Sequence, residues 1–174
     1  MNRLCLTALL TLFVGACTSG GRDKLNAEEY MDASVSMWNT MTSTSEPWLN
    51  GKRAEGFSKD IQGRKNLGRY KTELGKLHQL VSSHLAATQK YPIPEDATEL
   101  HARLIAYLNS HIAFFATMQQ IAALPDGFTD AQLEPLGAEL DRRALEISTL
   151  MDELDQAQKD YAKKHGIRLN EVSH

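Results

Sequence analysis

Histidine is the residue in this chain best placed to do chemistry, because imidazole can bind a metal or move a proton near neutral pH. There are six: His78, His84, His101, His111, His165 and His174. If residues 58–90 and 96–124 form antiparallel helices about a turn near residue 93, His84 and His101 fall at one level and can meet. Two imidazoles are half of a zinc or copper site, and the remaining ligands would have to come from other helices. His101 lies off the main apolar seam of its segment, so two unrelated polar histidines are the simpler expectation, and no metal is expected. His111 sits within an apolar row and reads as a core histidine. Met37, Met41 and Met118, with His84 or His111, are the residues a non-covalent haem would need, but core packing explains such residues more often. No cofactor is expected.

Other chemistries leave no signature. The chain has no Glu-x-x-His pair for a di-iron bundle, no Cys-x-x-Cys-His for covalent haem, no Gly-x-Ser-x-Gly elbow and no phosphate-binding glycine loop. Its acidic residues are spread along what read as exposed helix faces, so no catalytic carboxylate pair stands out. The sequence therefore predicts a protein that is not an enzyme, with no catalytic residue.

Both cysteines, Cys5 and Cys17, lie in the first seventeen residues. Met1-Asn2-Arg3 is a short cationic start, and Leu4 to Val14 is an uncharged apolar run. That run has the size of a signal-peptide core and is short of the ~20 residues a membrane-spanning helix needs. Val14-Gly15-Ala16-Cys17 follows directly. This segment resembles the lipobox of bacterial lipoproteins, in which an aliphatic residue and two small residues precede an invariant cysteine. The resemblance covers only this segment and implies cleavage before Cys17, with diacylglycerol on its sulfur. The mature chain would then have no internal disulfide. Ser19, Gly20 and Gly21 suit a flexible tether, and two or three acyl chains anchor stably where one does not. Thr18 stands where, in similar Gram-negative lipoproteins, an aspartate favours the inner membrane, so the resemblance leans to the outer membrane, facing the periplasm. The expected organisation is a signal peptide at 1–16, lipidated cysteine and tether at 17–24, a helical domain at 25–167 and a frayed tail at 168–174.

The elements that must position these residues read as four helices, because apolar spacing is helical throughout and no strand alternation is sustained. Asn26 and Glu29 form a capping-box pattern, stapled by Leu25 and Tyr30. The helix they open points Tyr30, Met37, Trp38 and Met41 inward. It meets a Ser/Thr-rich stretch at 40–45, followed by a loop marked by Pro47 and Asn50-Gly51. The second helix, 58–90, carries Leu67, Tyr70, Leu74, Leu77, Val81 and His84 on one seam, weakened early by several glycines. The third, 96–124, has two adjacent apolar rows that include Phe114, Phe115 and Met118, so it should be the most buried. The fourth opens on a Thr129/Gln132 capping box with a Phe128/Leu133 staple and closes on Lys163, Lys164, His165 and Gly166. Pro135 should kink it or split off a short turn. The predicted fold is all-α, an antiparallel up-down-up-down four-helix bundle.

Charge is the one uneven feature. The chain has net charge -3, without the basic footprint of a nucleic-acid binder. Residues 51–76 hold eight Lys or Arg against three Asp or Glu, whereas residues 126–160 hold three against ten. Arg64, Lys65, Arg69, Lys71 and Lys76 are the predicted partner-binding residues, facing either anionic lipid or an acidic protein. The predicted function is that of an envelope lipoprotein, anchored to a membrane through Cys17, that works by protein contact: an assembly accessory, an inhibitor or immunity protein, or a sensor. A ligand-binding bundle for metal, haem or a small apolar molecule is the alternative.

Overall fold

A computed structural model describes residues 24–169. The signal peptide, Cys17, most of the tether and residues 170–174 lie outside the described residues. Those described are helical and contain no strand. The elements are α1 (Ala27–Leu49), α2 (Lys52–Gln62), a 3-10 turn at Leu67–Tyr70, α3 (Lys71–Thr88), a second 3-10 turn at Glu95–Ala97, α4 (Thr98–Ala122) and α5 (Asp130–His165). The four long helices form the bundle, and α2 is a short addition at one end.

The cross-helix bonds fix its direction. Gln158 on α5 meets Ser34 on α1, and Arg103 on α4 meets Glu153 on α5. Thr42 and Ser45 late in α1 meet Tyr107 and His111 on α4. So α1 and α4 run one way while α3 and α5 run the other. The third predicted helix is the centre: α4 packs against α3 and α5 on its flanks and α1 on a further side. Leu104, Leu108, Phe115 and Ile121 are fully buried there.

Helix starts and stops follow their predicted chemistry. The Asn26 side chain accepts from Glu29 N–H at 2.9 Å, and Glu29 returns the bond to Asn26 N–H at 3.0 Å. Gln132 accepts from Thr129 N–H at 2.9 Å, with Phe128 buried beneath the start of α5. Gly166 takes φ +67° as the left-handed cap, and Ile167 N–H closes onto the Ala162 carbonyl at 2.9 Å. The chain then continues with Ile167 and Leu169 partly buried against the core.

Three expectations are corrected. First, α1 does not fade at its Ser/Thr stretch but runs through Pro47 to Leu49. Thr40, Thr42, Ser43, Thr44 and Ser45 bond back to carbonyls four residues earlier, so their hydroxyls stay inside the helix rather than competing with it. Second, residues 58–90 are not one helix: the chain breaks between Gln62 and Leu67. Arg64 and Asn66 leave the right-handed helical region there, with φ 50° and 65°. The break lets Phe57, Trp48 and Tyr70 meet edge-to-face, with ring centroids 5.0–6.3 Å apart. Third, no separate turn is split off before Pro135: α5 is one helix from Asp130 to His165. Pro135 and Ala131, whose carbonyl loses its usual donor, are both exposed, so water can replace the missing bond.

Candidate functional site

The break between α2 and α3 lies in the stretch that carries most of the predicted contact residues. Arg64 (φ 50°) and Asn66 (φ 65°) both adopt the left-handed region. For a non-glycine residue this costs about 1–2 kcal/mol. The compensation comes from the α4–α5 loop. Gly127 N–H donates to the Arg64 carbonyl at 2.7 Å, and Asp126 accepts from Asn66 N–H at 2.9 Å. The Arg64 guanidinium donates to the Phe128 carbonyl at 3.2 Å and to Asp130 at 2.5 Å. Arg64 is therefore a staple between two loops before it is anything else.

Arg69 is likewise engaged. Its guanidinium pairs with Asp60 at 2.6 Å, donates to the Tyr70 hydroxyl at 2.7 Å and lies 4.8 Å from that ring's centre. The Tyr70 hydroxyl donates in turn to Asp60 at 3.0 Å. Asp60 is only 8% exposed, and a carboxylate so buried needs these partners. The hydrogen bond from Arg69 to Tyr70 is the main cause that raises the guanidinium pKa further above its ordinary value.

The lysines behave differently. Lys65, Lys71 and Lys76 are exposed and, among the described residues, make no ion pair, as do Lys52 and Lys59 on α2. Of the five predicted contact residues, then, two arginines hold the fold and three lysines are free to meet something else. Arg53 pairs across the α2–α3 boundary with Glu73 at 3.1 Å. Sequence reasoning passed over Lys52, Lys59 and Arg53 because α2 was not recognised as a separate helix.

His84 and His101, weighed as a possible pair, are not brought together. His101 shares a hydrogen bond with the Tyr30 hydroxyl at 3.2 Å, and its ring lies near those of Tyr30 and Tyr91. No hydrogen bond or ring contact joins it to half-buried His84. Burial pushes the His101 pKa below the usual imidazole value. Among the described residues, no group of three His, Cys, Asp or Glu is arranged to hold a metal ion.

His111 is a core histidine, as its row implied. Its Nδ1 lies 2.8 Å from the Tyr107 carbonyl, which can only accept, so Nδ1 carries the proton. Nε2 then faces Ser45 Oγ at 3.1 Å, and Ser45 also lies 2.8 Å from the Met41 carbonyl. A serine beside an imidazole is a nucleophile-and-base pair in kind. Here Ser45 is 1% and His111 0% exposed, so no substrate reaches them. The single Ser45 proton can go to the Met41 carbonyl or to His111 Nε2, but not to both at once. Burial holds the His111 pKa down at about 4, against the opposing bond to Tyr107.

The opposite end of the bundle holds the start of the described chain. Leu25 N–H donates to the Pro92 carbonyl at 2.8 Å, and Lys24 pairs with Glu95 at 2.8 Å. Asp96 collects Lys164 at 2.6 Å and His165 at 2.9 Å, with the Tyr161 hydroxyl at 3.5 Å. Lys164 is the main cause that lowers the Asp96 pKa. At the start of α1, then, the incoming chain is fixed to the α3–α4 connection, while α2 and the α4–α5 loop occupy the far end. Among the described residues, no helix is long and apolar enough to cross a membrane.

No family model, curated protein or solved structure matches the chain. Its function has to be argued from this arrangement.

Proposed function

We propose that the protein is a bacterial envelope lipoprotein, held to a membrane by lipid on Cys17, that acts without catalysis by meeting a protein partner. With Thr18 after the cysteine, the outer membrane facing the periplasm is the proposed location. The observation that carries the reading is the polarity of the bundle. The chain enters at the α3–α4 end, and the free lysines cluster around α2 and early α3. The 23 residues of α1 separate these ends by about 35 Å. The tether from residue 18 to residue 24 reaches at most about 25 Å. An upright domain therefore keeps its lysines several Debye lengths, each ~8 Å, from the bilayer that anchors it. This favours a protein partner over the anchoring lipid. The packed interior supports the non-catalytic part, since its Ser–His pair is sealed from solvent.

Lipid attachment is tested on the full chain expressed in a Gram-negative host. Mass spectrometry should find the N-terminal peptide beginning at Cys17 with diacylglycerol attached, and Cys17→Ser should abolish it. An unmodified thiol at residue 17, or cleavage elsewhere, contradicts the anchor.

A further inference from the structure

The far end of the bundle has a cleft of about 380 Å³ between α2 and the start of α3, lined by Lys52, Arg53, Gly56, Arg69, Tyr70 and Glu73. We propose that this cleft docks an acidic segment of the partner protein. The proposal rests on the contact reading above and adds where contact is made and with what chemistry.

The walls carry more positive charge than the fold consumes. Arg53 is matched by Glu73, and Arg69 by Asp60. Lys52 has no such partner among the described residues. Lys59 lies two turns along α2 from Lys52 and extends the same face, as Lys76 extends that of Glu73 on α3. Lys52 thus lines the cleft without an ion pair, and Lys59 and Lys76 lie about one turn beyond its lining residues. Its one lining carboxylate, Glu73, is paired, while Glu55 stands on the outer face of α2 between Lys52 and Lys59.

Stability does not call for this placement. Lys52 and Arg53 occupy the first two positions of α2, and the Gly51 cap supplies no side-chain hydrogen bond. The helix dipole is positive there, so cations are in their least favourable place and an incoming carboxylate in its most favourable. Beyond Lys76 on the same face, Leu80 is 43% exposed. It offers an apolar contact at the edge of the cationic surface. The fitting ligand is a run of carboxylates adjoining an apolar side chain.

The location selects among anionic ligands. The cleft is at the end away from the tether, which disfavours the anchoring bilayer. Three free lysines in a chain of net charge -3 are a poor base for holding a phosphate backbone, whose binding grows with each cation engaged.

The test uses the full-length lipidated protein in phosphatidylcholine nanodiscs and a fluorescent peptide of glutamates with one central leucine. At low salt the peptide should bind and be released by added salt. Lys52→Glu/Lys76→Glu should weaken binding by about tenfold or more, the scale at which a docking surface exceeds a general charge effect. Lys90→Glu/Lys163→Glu carries the same charge change at the opposite end of the bundle and should change affinity by no more than about twofold. Circular dichroism of each variant should match the wild type, because all four lysines are exposed. The proposal is overturned by absence of binding at low salt, or by equal losses in the two double variants. It is also overturned if phosphatidylglycerol vesicles, rather than the peptide, are what the cleft lysines hold. Mass spectrometry of Cys17 on the same preparations separates the cleft from the anchor. Lipid present with no peptide bound removes the cleft alone; peptide bound with no lipid present removes the anchor alone.

Discussion

The two ends of the bundle handle charge in different ways. At the end where α1 starts, cations converge on two neighbouring carboxylates, Lys24 on Glu95, and Lys164 with His165 on Asp96, while exposed Lys90 and Lys163 make no ion pair among the described residues. These contacts tie the incoming chain, the α3–α4 connection and the end of α5 together. At the far end, the three arginines hold the fold, through Asp60, Glu73 and Asp130, while the lysines stand apart. The guanidinium fork makes several directed bonds at once, as Arg69 does to Asp60 and Tyr70, whereas lysine is a flexible point charge. The difference teaches that one end joins three chain segments through its carboxylates, whereas the other holds its fold with arginines and leaves more of its lysines unpaired.

The sharpest way to break this contrast is to loosen the core between the ends. Phe115 is fully buried on α4, and Phe115→Ala should cost about 3–5 kcal/mol. Urea titration followed at both ends should show one shared loss; separate transitions would mean the ends fold independently. Acid should act on the same core. With His111 at about 4 when folded and near 6.5 when unfolded, the unfolded chain takes the proton first. Stability from this residue is complete above pH 6.5 and declines as pH falls toward 4. The loss is about 3 kcal/mol, and His111→Gln should flatten that part of the curve of melting temperature against pH.

A smaller effect is expected at the far end. Tyr70→Phe removes a donor to buried Asp60 and an acceptor for Arg69, at a cost of about 1–3 kcal/mol. At the tether end, Asp96→Asn should lower the melting temperature less than Tyr70→Phe does, since its partners are exposed and screened. If Asp96→Asn proves the more damaging, the end where α1 starts is the more tightly built and the contrast reverses.

Local chemistry was legible in the sequence where partners are near in the chain. The Asn26/Glu29 and Thr129/Gln132 boxes and the Gly166 cap need only three or four residues of context, and the two apolar rows of α4 announce its central place. The break after Gln62 was masked by the regular seam from Leu67 onward, and the loop contacts that hold it come from residues 126 and 127, some sixty positions away. The roles of Arg64 and Arg69 were not legible in the same way. Arg64 meets Asp130, sixty-six positions away, and Arg69 becomes a partner of Asp60 only once the helix has broken. A cation on an outward arc looks the same in sequence whether it is paired or free. His101 was illegible for the same reason: it turns to Tyr30, seventy-one positions away.

The most direct test of the account is the distance of each end from the membrane. Once Cys17 carries lipid and Cys5 has left with the signal peptide, a single engineered cysteine is the only free thiol. Lys90→Cys at the tether end and Lys65→Cys at the far end can each be labelled with a fluorophore in nanodiscs that contain headgroup quenchers. The account expects strong quenching at residue 90 and little at residue 65. Equal quenching at both, or stronger quenching at 65, would mean that the basic end lies against the bilayer and that the domain does not present it to a partner.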